Sequence, residues 1–344
     1  MLHWNRKKAK QILIMQILGL LFALFTILLI ISKPLSTINS ENVLEVESSH
    51  RMPLRELSGL DYRVSDEGIE ILVIGDRKAK IAQFNLGTGV IKEFPFDEIL
   101  LRQFSLCQSR RSKSCGKLLK KLFSDWEALR LDRFGRVFVL QEHSDTVLVL
   151  DRTMSSIEKV LNFDILAGFP SKVQDSSKKF LENSYGEGLL LLHNGHFVVA
   201  KERNPIALIE YGPKGSVSSG INSSTVLKRS EEFDLGGVSR SEYTALATWQ
   251  LGGSSKCDFS DLEFYQGSIL VLSQQCQQIF VFEGLDKGDK ALLRTLTLSL
   301  PSHIKNPEAL AVLPDGRIVV GSDLRSKDDN LFILKSPFKG KTSQ

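Results

Sequence analysis

Acidic residues recur at a fixed spacing along the chain, and carboxylates are side chains that bind hard cations or exchange protons. In three places a glutamate is followed eight residues later by glycine and fifteen residues later by a second acid. If each glycine ends a two-residue turn, the two acids lie directly opposite on a β-hairpin, where like charges repel. The pairs are Glu127 with Glu142, Glu187 with Glu202, and Glu308 with Asp323.

Something must offset this repeated repulsion, and a bound cation would do so. The six acids are therefore candidate ligands of Ca²⁺, which takes six to eight oxygen ligands. Neighbouring basic side chains or a shared proton would also offset it, and in a purely structural alternative the acids cap backbone N–H groups. His143 follows Glu142 directly and is a candidate general acid or base, or else a solvated loop residue. The chain has no Gly-x-Ser-x-Gly, His-Glu-x-x-His or P-loop motif.

The acids belong to a block that recurs along the chain and contains two apolar segments separated by short polar stretches. Each block begins with a polar residue two positions before a leucine: Ser58, Glu127, Glu187, Ser260 and Glu308. The first apolar segments are 71–76, 137–142, 197–202, 269–274 and 318–323, and their partners are 80–85, 146–151, 207–211, 278–283 and 331–335. Strands that are apolar on both faces are covered by neighbouring sheets on both sides. The repeat predicts an all-β fold, a β-propeller of five or six blades.

The propeller is predicted to span residues 42–338. A sixth blade would come from 212–256, with 244–251 as one of its strands. The first strand of each blade lines the central channel, so the block-starting residues are expected to gather at one mouth of it. The last blade lacks an outer strand, and residues 42–46 are predicted to supply one and close the ring.

The N-terminal segment predicts a membrane anchor. Residues 12–31 carry no charge and are long enough to cross a bilayer as a helix. We expect a basic cytoplasmic tail at 1–10, a transmembrane signal-anchor helix at 11–32, a linker at 33–41 and a short tail at 339–344. A cleaved signal peptide is the alternative, and both place the propeller in the periplasm or outside the cell.

The composition excludes a disordered chain, because 42% of the residues are hydrophobic and 24% are charged. The net charge of +4 comes from four basic residues among the first ten, which leave 40 basic and 40 acidic residues in the rest. A nucleic-acid partner is therefore not expected.

The four cysteines suit an exported domain with disulfides, although four unpaired thiols are the alternative. With a two-residue turn at Gln266-Gly267, Cys257 and Cys276 face each other across a hairpin within bridging distance. Cys107 and Cys115 then remain to pair with each other.

Several blocks carry recognisable short motifs. They include Leu57-Ser-Gly-Leu60, Asp125-Trp-Glu-Ala-Leu129, Tyr185-Gly-Glu-Gly-Leu189 and Pro307-Glu-Ala-Leu310. Over residues 54–335 the chain resembles the SdiA-regulated and phytase-like esterase propellers, whose blade pattern the NHL-repeat and gluconolactonase propellers share. The resemblance implies a calcium-assisted phosphoester or ester hydrolase, with the six acids as its metal ligands. It is weaker in two blades, where Ser58 and Ser260 replace the glutamate and Gln274 replaces the second acid.

Two functions are consistent with these observations. The first is a membrane-anchored, divalent-cation-dependent hydrolase of a small phosphoester or related ester, with Lys201, Arg203 and Arg240 as candidate substrate-binding residues by their nearness to the acids. The alternative is a non-catalytic propeller that binds a ligand or a partner protein, since propellers have many functions. A site with acids around a cavity favours the first, and acids paired with Arg and Lys favour the second.

Overall fold

The structure is a computed structural model. It describes residues 42–76, 78–95, 125–169, 185–236, 240–251, 256–287, 291–324 and 328–338. Regular structure in these ranges consists of β-strands and one 3₁₀ turn at Glu142–Ser144, so the predicted all-β class is confirmed.

Twenty-one strands are numbered in chain order. The first nine are β1 (Asn42–Val43), β2 (Val46–His50), β3 (Leu57–Ser65), β4 (Gly68–Gly75), β5 (Lys78–Asn85), β6 (Ile91–Pro95), β7 (Trp126–Leu131), β8 (Val137–Gln141) and β9 (Thr146–Leu150). The next six are β10 (Ile157–Asn162), β11 (Gly186–Leu191), β12 (Phe197–Lys201), β13 (Ala207–Pro213), β14 (Arg240–Gln250) and β15 (Asp261–Tyr265). The last six are β16 (Ser268–Ser273), β17 (Gln278–Glu283), β18 (Arg294–Ser299), β19 (Pro307–Val312), β20 (Ile318–Ser322) and β21 (Leu331–Leu334).

The strands form five antiparallel four-stranded units, which are the blades of a propeller. Their orders from the inside outward are β3-β4-β5-β6, β7-β8-β9-β10, β11-β12-β13-β14, β15-β16-β17-β18 and β19-β20-β21-β2. The second and third blades share one eight-stranded sheet, because their outer strands β10 and β14 pair in parallel. The five inner strands contact one another in sequence, and β19 also contacts β3, which closes the ring.

The described part of 212–256 contains no sixth blade, so of the two predicted blade numbers the described residues show five. The predicted strand at 244–251 is instead part of β14, the outer strand of the third blade. The segment between β13 and β14 is a long loop that is held by the buried carboxylate of Glu210. Glu210 accepts hydrogen bonds from Nδ1 of His196 at 2.7 Å and from the hydroxyl and amide of Ser219 at 2.9 Å.

The ring is closed by the N-terminal segment, as predicted, but through different residues. The outer strand of the fifth blade is β2, which pairs antiparallel with β21, whereas β1 pairs in parallel with β18 of the fourth blade. Leu44 lies between the two pairings and is buried, so the chain switches from one blade to the next at this point.

The hydrophobic core lies between blades. Five clusters of buried side chains occupy the five spaces between adjacent blades, which explains why the strands are apolar on both faces. All five side chains of β8 are buried, for example, and so are all five of β12.

One predicted disulfide is present. Gln266 and Gly267 have φ angles of 47° and 85°, which a two-residue type I′ turn requires, and Tyr265 pairs with Ser268. This register brings Cys257 and Cys276 together, and they form a disulfide with their Cα atoms 5.3 Å apart. Cys107 and Cys115 lie outside the described residues.

No helix among the described residues is long and apolar enough to cross a membrane. Residues 1–41, where the anchor is expected, lie outside this part of the chain, as does the tail at 339–344. The membrane anchor therefore stays a prediction.

Candidate functional site

Four of the five inner strands contain a β-bulge at the same position near their first residue. The register shifts between Leu57 and Gly59 in β3, Trp126 and Ala128 in β7, Gly186 and Gly188 in β11, and Pro307 and Ala309 in β19. The residue inside each bulge has no partner on the next strand, and a bulge re-aims such a side chain. These four residues are Ser58, Glu127, Glu187 and Glu308.

The bulges show that the predicted opposition of paired acids is wrong. In the second blade Trp126 pairs with Gln141 and Ala128 with Leu140, so Glu127 has no residue opposite it. Glu142 follows the end of β8 and begins the 3₁₀ turn. The hairpin loop is also wider than predicted, because the last pair is Leu131 with Val137 rather than the residues flanking a two-residue turn. The third and fifth blades have the same register.

A repeated backbone hydrogen bond positions the second acid of each pair. The amide of Glu142 donates to the carbonyl of Asp125 at 3.0 Å, two residues before the bulged glutamate. The same bond joins Glu202 to Tyr185 at 3.0 Å, Asp323 to Asn306 at 2.8 Å, and Asp76 to Glu56 at 3.0 Å. In four blades, therefore, the end of the second strand is held beside the start of the first.

These residues surround one cavity of about 340 Å³ at a mouth of the channel, which we call the acidic mouth. It is lined by Asp76, Asp125, Glu127, Glu142, Glu187, Glu202, Ser260, Gln274, Glu308 and Asp323. All six acids predicted as metal ligands line it, and so do two further carboxylates, Asp76 and Asp125. Asp125 lies two residues before the residue that starts its block, as Glu56 and Asp258 do in two other blades, and this spacing is the sequence signal that could have found it.

The carboxyl groups of the acidic mouth raise one another's pKa. Burial and the charges of Glu142, Asp76 and Glu308 raise the pKa of Glu127 well above its ordinary value. The pKa of Glu187 is raised well above it by burial and then by Glu127. The pKa of Glu308 is raised in the same way by burial and then by Asp323. Without a cation, these three carboxyls favour the protonated form.

The two blades that depart from the acidic pattern use neutral groups. The hydroxyl of Ser58 donates to the carbonyl of Trp126, and that of Ser260 donates to the carbonyl of Pro307 at 3.3 Å. Each serine therefore links its own blade to the next. Gln274 donates from Nε2 to Oε1 of Glu308 at 2.5 Å, so the amide at the second position stabilises a neighbouring carboxylate.

Two of the predicted basic residues lie near the acidic mouth without lining it. The ammonium of Lys201 is buried and donates to the carbonyl of Arg203. Burial lowers the pKa of Lys201 to about 8, although Glu187 opposes this effect. Arg203 forms an ion pair with Glu202 and lies 4.0 Å from a carboxylate oxygen of Asp258.

Substrate binding by Arg240 and catalysis by His143 stay predictions. Arg240 begins β14 and is paired with Val160 on outer strands, away from the inner strands that carry the acids. His143 lies in the 3₁₀ turn next to Glu142. The side chains of both residues are outside the described part of the structure.

The donor set of the acidic mouth suits a hard cation, because its ligands are carboxylates, an amide and a hydroxyl, with neither thiol nor imidazole among the lining residues. Among the described residues, however, no three His, Cys, Asp or Glu side chains converge closely enough to hold a metal ion. The cavity is also larger than a single ion. Metal binding there would require the glutamate side chains to move inward.

A buried arginine crosses the channel below the acidic mouth. Arg130 of β7 donates to the carbonyl of Leu60 at 2.9 Å on the neighbouring blade. It also forms an ion pair at 3.0 Å with Asp261 of β15, two blades away around the ring. Oδ2 of Asp261 accepts from the amide of Leu310 at 2.7 Å, which ties the fourth blade to the fifth. Arg130 therefore links the first, second and fourth blades, and it was not among the predicted functional residues because it does not repeat.

No family model matches the chain, and no curated protein matches its sequence. Several solved structures have a similar fold. Glutaminyl cyclase from Myxococcus xanthus aligns with a TM-score of 0.47 and 11% identity over 85% of this chain and 96% of its own. Regucalcin from Agrobacterium tumefaciens, described as a calcium-binding protein, aligns with a TM-score of 0.44 and 10% identity over 86% and 96%. A luciferin-regenerating enzyme aligns with a TM-score of 0.46 and 8% identity over 86% and 95%.

These TM-scores lie below 0.5, so the propeller assignment rests on the strand pairing and the closed ring of inner strands. Membership of the SdiA-regulated or phytase-like families stays a prediction.

Proposed function

We propose that this chain is a propeller whose acidic mouth binds a hard divalent cation, with Ca²⁺ as the first candidate. One observation carries the proposal: three glutamates on equivalent bulges share one cavity, and each has its pKa raised well above its ordinary value by burial and by other acids. A cation would offset this repulsion and favour the ionised carboxylates. We further propose that the N-terminal helix anchors the propeller on the outer face of the membrane.

Two groups of acids would have different roles in binding the cation. Glu127, Glu187 and Glu308 would supply the ligands, because their bulges free them from strand pairing. The backbone ties at Glu142 and Asp323 would hold the second shell of acids in place. A bound Ca²⁺ would also polarise a substrate oxygen, which is the chemistry that cation-assisted ester hydrolysis needs.

Hydrolysis of a phosphoester or related ester is the second candidate function. It is favoured by the cation that Glu127, Glu187 and Glu308 would hold, because a bound divalent ion would polarise the ester and lower the pKa of a bound water. The lack of a basic side chain among the lining residues speaks against tight binding of a phosphate without the cation. A propeller that binds a ligand or a partner protein without catalysis therefore remains the alternative.

Calorimetry with CaCl₂ on the full chain tests the cation proposal. We compare the parent with the triple variant Glu127→Gln, Glu187→Gln, Glu308→Gln. The matched control replaces three exposed acids, Glu45, Glu67 and Glu93, by glutamine and changes the net charge equally. We expect binding by the parent and the control, and at least a tenfold loss of affinity in the triple variant.

The absence of Ca²⁺ binding by a folded parent would overturn the proposal, as would equal binding by the triple variant. The same three proteins, assayed with p-nitrophenyl phosphate and p-nitrophenyl acetate, separate the two candidate functions. Calcium-dependent turnover that the parent and the control show and the triple variant loses supports the hydrolase. Calcium binding without turnover of either ester supports the binding module.

A further inference from the structure

A second cavity of about 260 Å³ lies at the other end of the channel, beyond Arg130. The inner strands run from the acidic mouth toward this end. Residues of the loop between β13 and β14 line the cavity. Its apolar lining includes Leu131, Leu190, Val226 and Val312, and its charged lining includes Arg229 and Glu263. A mostly apolar cavity with a few fixed polar groups is typical of a small-ligand site.

One carboxylate oxygen in this cavity is buried and accepts no hydrogen bond. Glu263 is only 6% exposed, and its Oε1 accepts from the amide of Phe264 at 2.8 Å. Its Oε2 has no hydrogen-bond partner, and Nη2 of Arg229 is 3.9 Å away, beyond hydrogen-bond distance. Buried carboxylate oxygens are nearly always satisfied, so this atom is an acceptor without a donor.

The neighbouring guanidinium groups are committed elsewhere. Arg229 lies over the ring of Tyr62 at 3.8 Å, donates to the carbonyl of that residue at 2.7 Å and pairs with Asp61 at 2.5 Å. Arg130 is held by Asp261 and by main-chain carbonyls. The Nε of Arg130 has no hydrogen-bond partner, but it does not donate to Glu263 in the structure, whose Oε2 is left without a donor.

Carboxyl groups around the cavity outnumber arginines by one, and burial raises the pKa of Glu263, so its ionised form needs a further cation beside it. Two arginines, Arg130 and Arg229, face three carboxylates. These are Asp61, Asp261 and Glu263. Lys228 also lines the cavity, but its side chain is 66% exposed and lies 3.8 Å from Glu231, so it does not change this balance.

We infer that this cavity binds an alkylammonium group. The ammonium would donate to Oε2 of Glu263 and neutralise its carboxylate, while the alkyl stem would pack against Leu190, Val226 and Val312. A charge-assisted hydrogen bond to a buried carboxylate discriminates strongly between a cation and a neutral donor of the same shape. A free small amine and a lysine side chain both present this group.

The test uses the full chain and saturation-transfer NMR at pH 7.5 with n-butylammonium chloride, and n-butanol is the neutral isostere. We expect n-butylammonium to bind at least tenfold more tightly than n-butanol, and Glu263→Gln to remove this preference. Nα-acetyl-lysine N-methylamide distinguishes the sources: binding comparable to n-butylammonium indicates a lysine side chain, and much weaker binding indicates a free amine.

Two further variants serve as controls for this experiment. Ser223→Trp changes an exposed residue at the rim and should block the cavity without disturbing a buried charge, so it remains informative if Glu263→Gln does not fold. The triple variant of the acidic mouth should keep the binding, which separates this site from the cation site proposed above. Equal binding of n-butanol would overturn the inference, as would unchanged binding by Glu263→Gln or Ser223→Trp, or loss of binding in the triple variant.

Discussion

At the scale of single residues, the acidic mouth couples folding to protonation. Burial raises the pKa of Glu127 in the folded chain above its value in the unfolded chain, so the folded state holds this proton more tightly. For such a group, the free energy of unfolding is highest below the unfolded pKa and falls as the pH rises toward the folded pKa. Glu187 and Glu308 act in the same direction.

We therefore predict that Glu127→Gln stabilises the chain at neutral pH in the presence of EDTA. Folding at neutral pH must either protonate the Glu127 carboxyl or bury its charge, and the amide removes this cost. The gain should be roughly 1–2 kcal/mol, shrinking toward zero at about pH 4. Urea unfolding between pH 4 and pH 8 measures this effect, with Glu67→Gln, an exposed acid, as the control. A parent stability that is constant across this range would contradict the prediction.

Most of the acidic mouth could be predicted from the sequence, because the acids repeat at a fixed spacing. Asp125 carries a weaker signal of the same kind, because Glu56 and Asp258 also lie two residues before the residue that starts their block. Arg130 could not be predicted, because an arginine occurs at this position in a single blade. Its role depends on which blades lie next to and across from the second one. That information is present only in the closed ring.

At the scale of elements, the strands could be predicted, but the β-bulges near the start of the inner strands could not. The recurring apolar segments located the second and third strands of all five blades. A β-bulge leaves no comparable trace in the sequence, because it depends on the hydrogen bonds between two strands and on contact with the next blade. This is why Glu127 and Glu142 were expected to face each other.

The close approach of inner strands gives a prediction about Gly59. A Cβ atom at this position would lie 2.8 Å from backbone atoms of Ala128 on the next blade, which cannot move aside as a side chain would. We expect Gly59→Ala to lower the free energy of unfolding by about 1–3 kcal/mol. Gly87→Ala is the matched control, because its nearest neighbour would be 3.5 Å away. Equal stability of the two variants in chemical denaturation would refute the predicted clash.

At the scale of the whole molecule, the propeller is a ring closed by a segment from the other end of the chain. Leu44 is 6% exposed and packs in the cluster that contains Leu298 and Leu334. It therefore joins the fourth and fifth blades to the N-terminal segment. The sequence predicted this closure because the last blade lacked a strand, but the repeat could not show which residues pair.

We predict that Leu44→Ala lowers the free energy of unfolding by about 2–4 kcal/mol, because it leaves a cavity between two blades. Val43→Ala is the control one residue away, since Val43 is 55% exposed and should change stability by less than about 0.5 kcal/mol. Denaturant unfolding of the full chain checks both values. A small effect of Leu44→Ala would mean that the closing segment contributes little to the fold.

The pairing of β2 with β21 also determines when a growing polypeptide can finish folding. Ser48 leaves the ribosome early, whereas its partner Ile333 follows roughly 285 residues later. Hairpins within the first four blades can form from neighbouring segments as they are synthesised, but the pairing of β2 with β21 must wait until residues 331–334 have been synthesised. A nascent chain interrupted before residue 331 would keep two unpaired strand edges, which are sites of aggregation. Quality control of this protein would thus depend on its last blade.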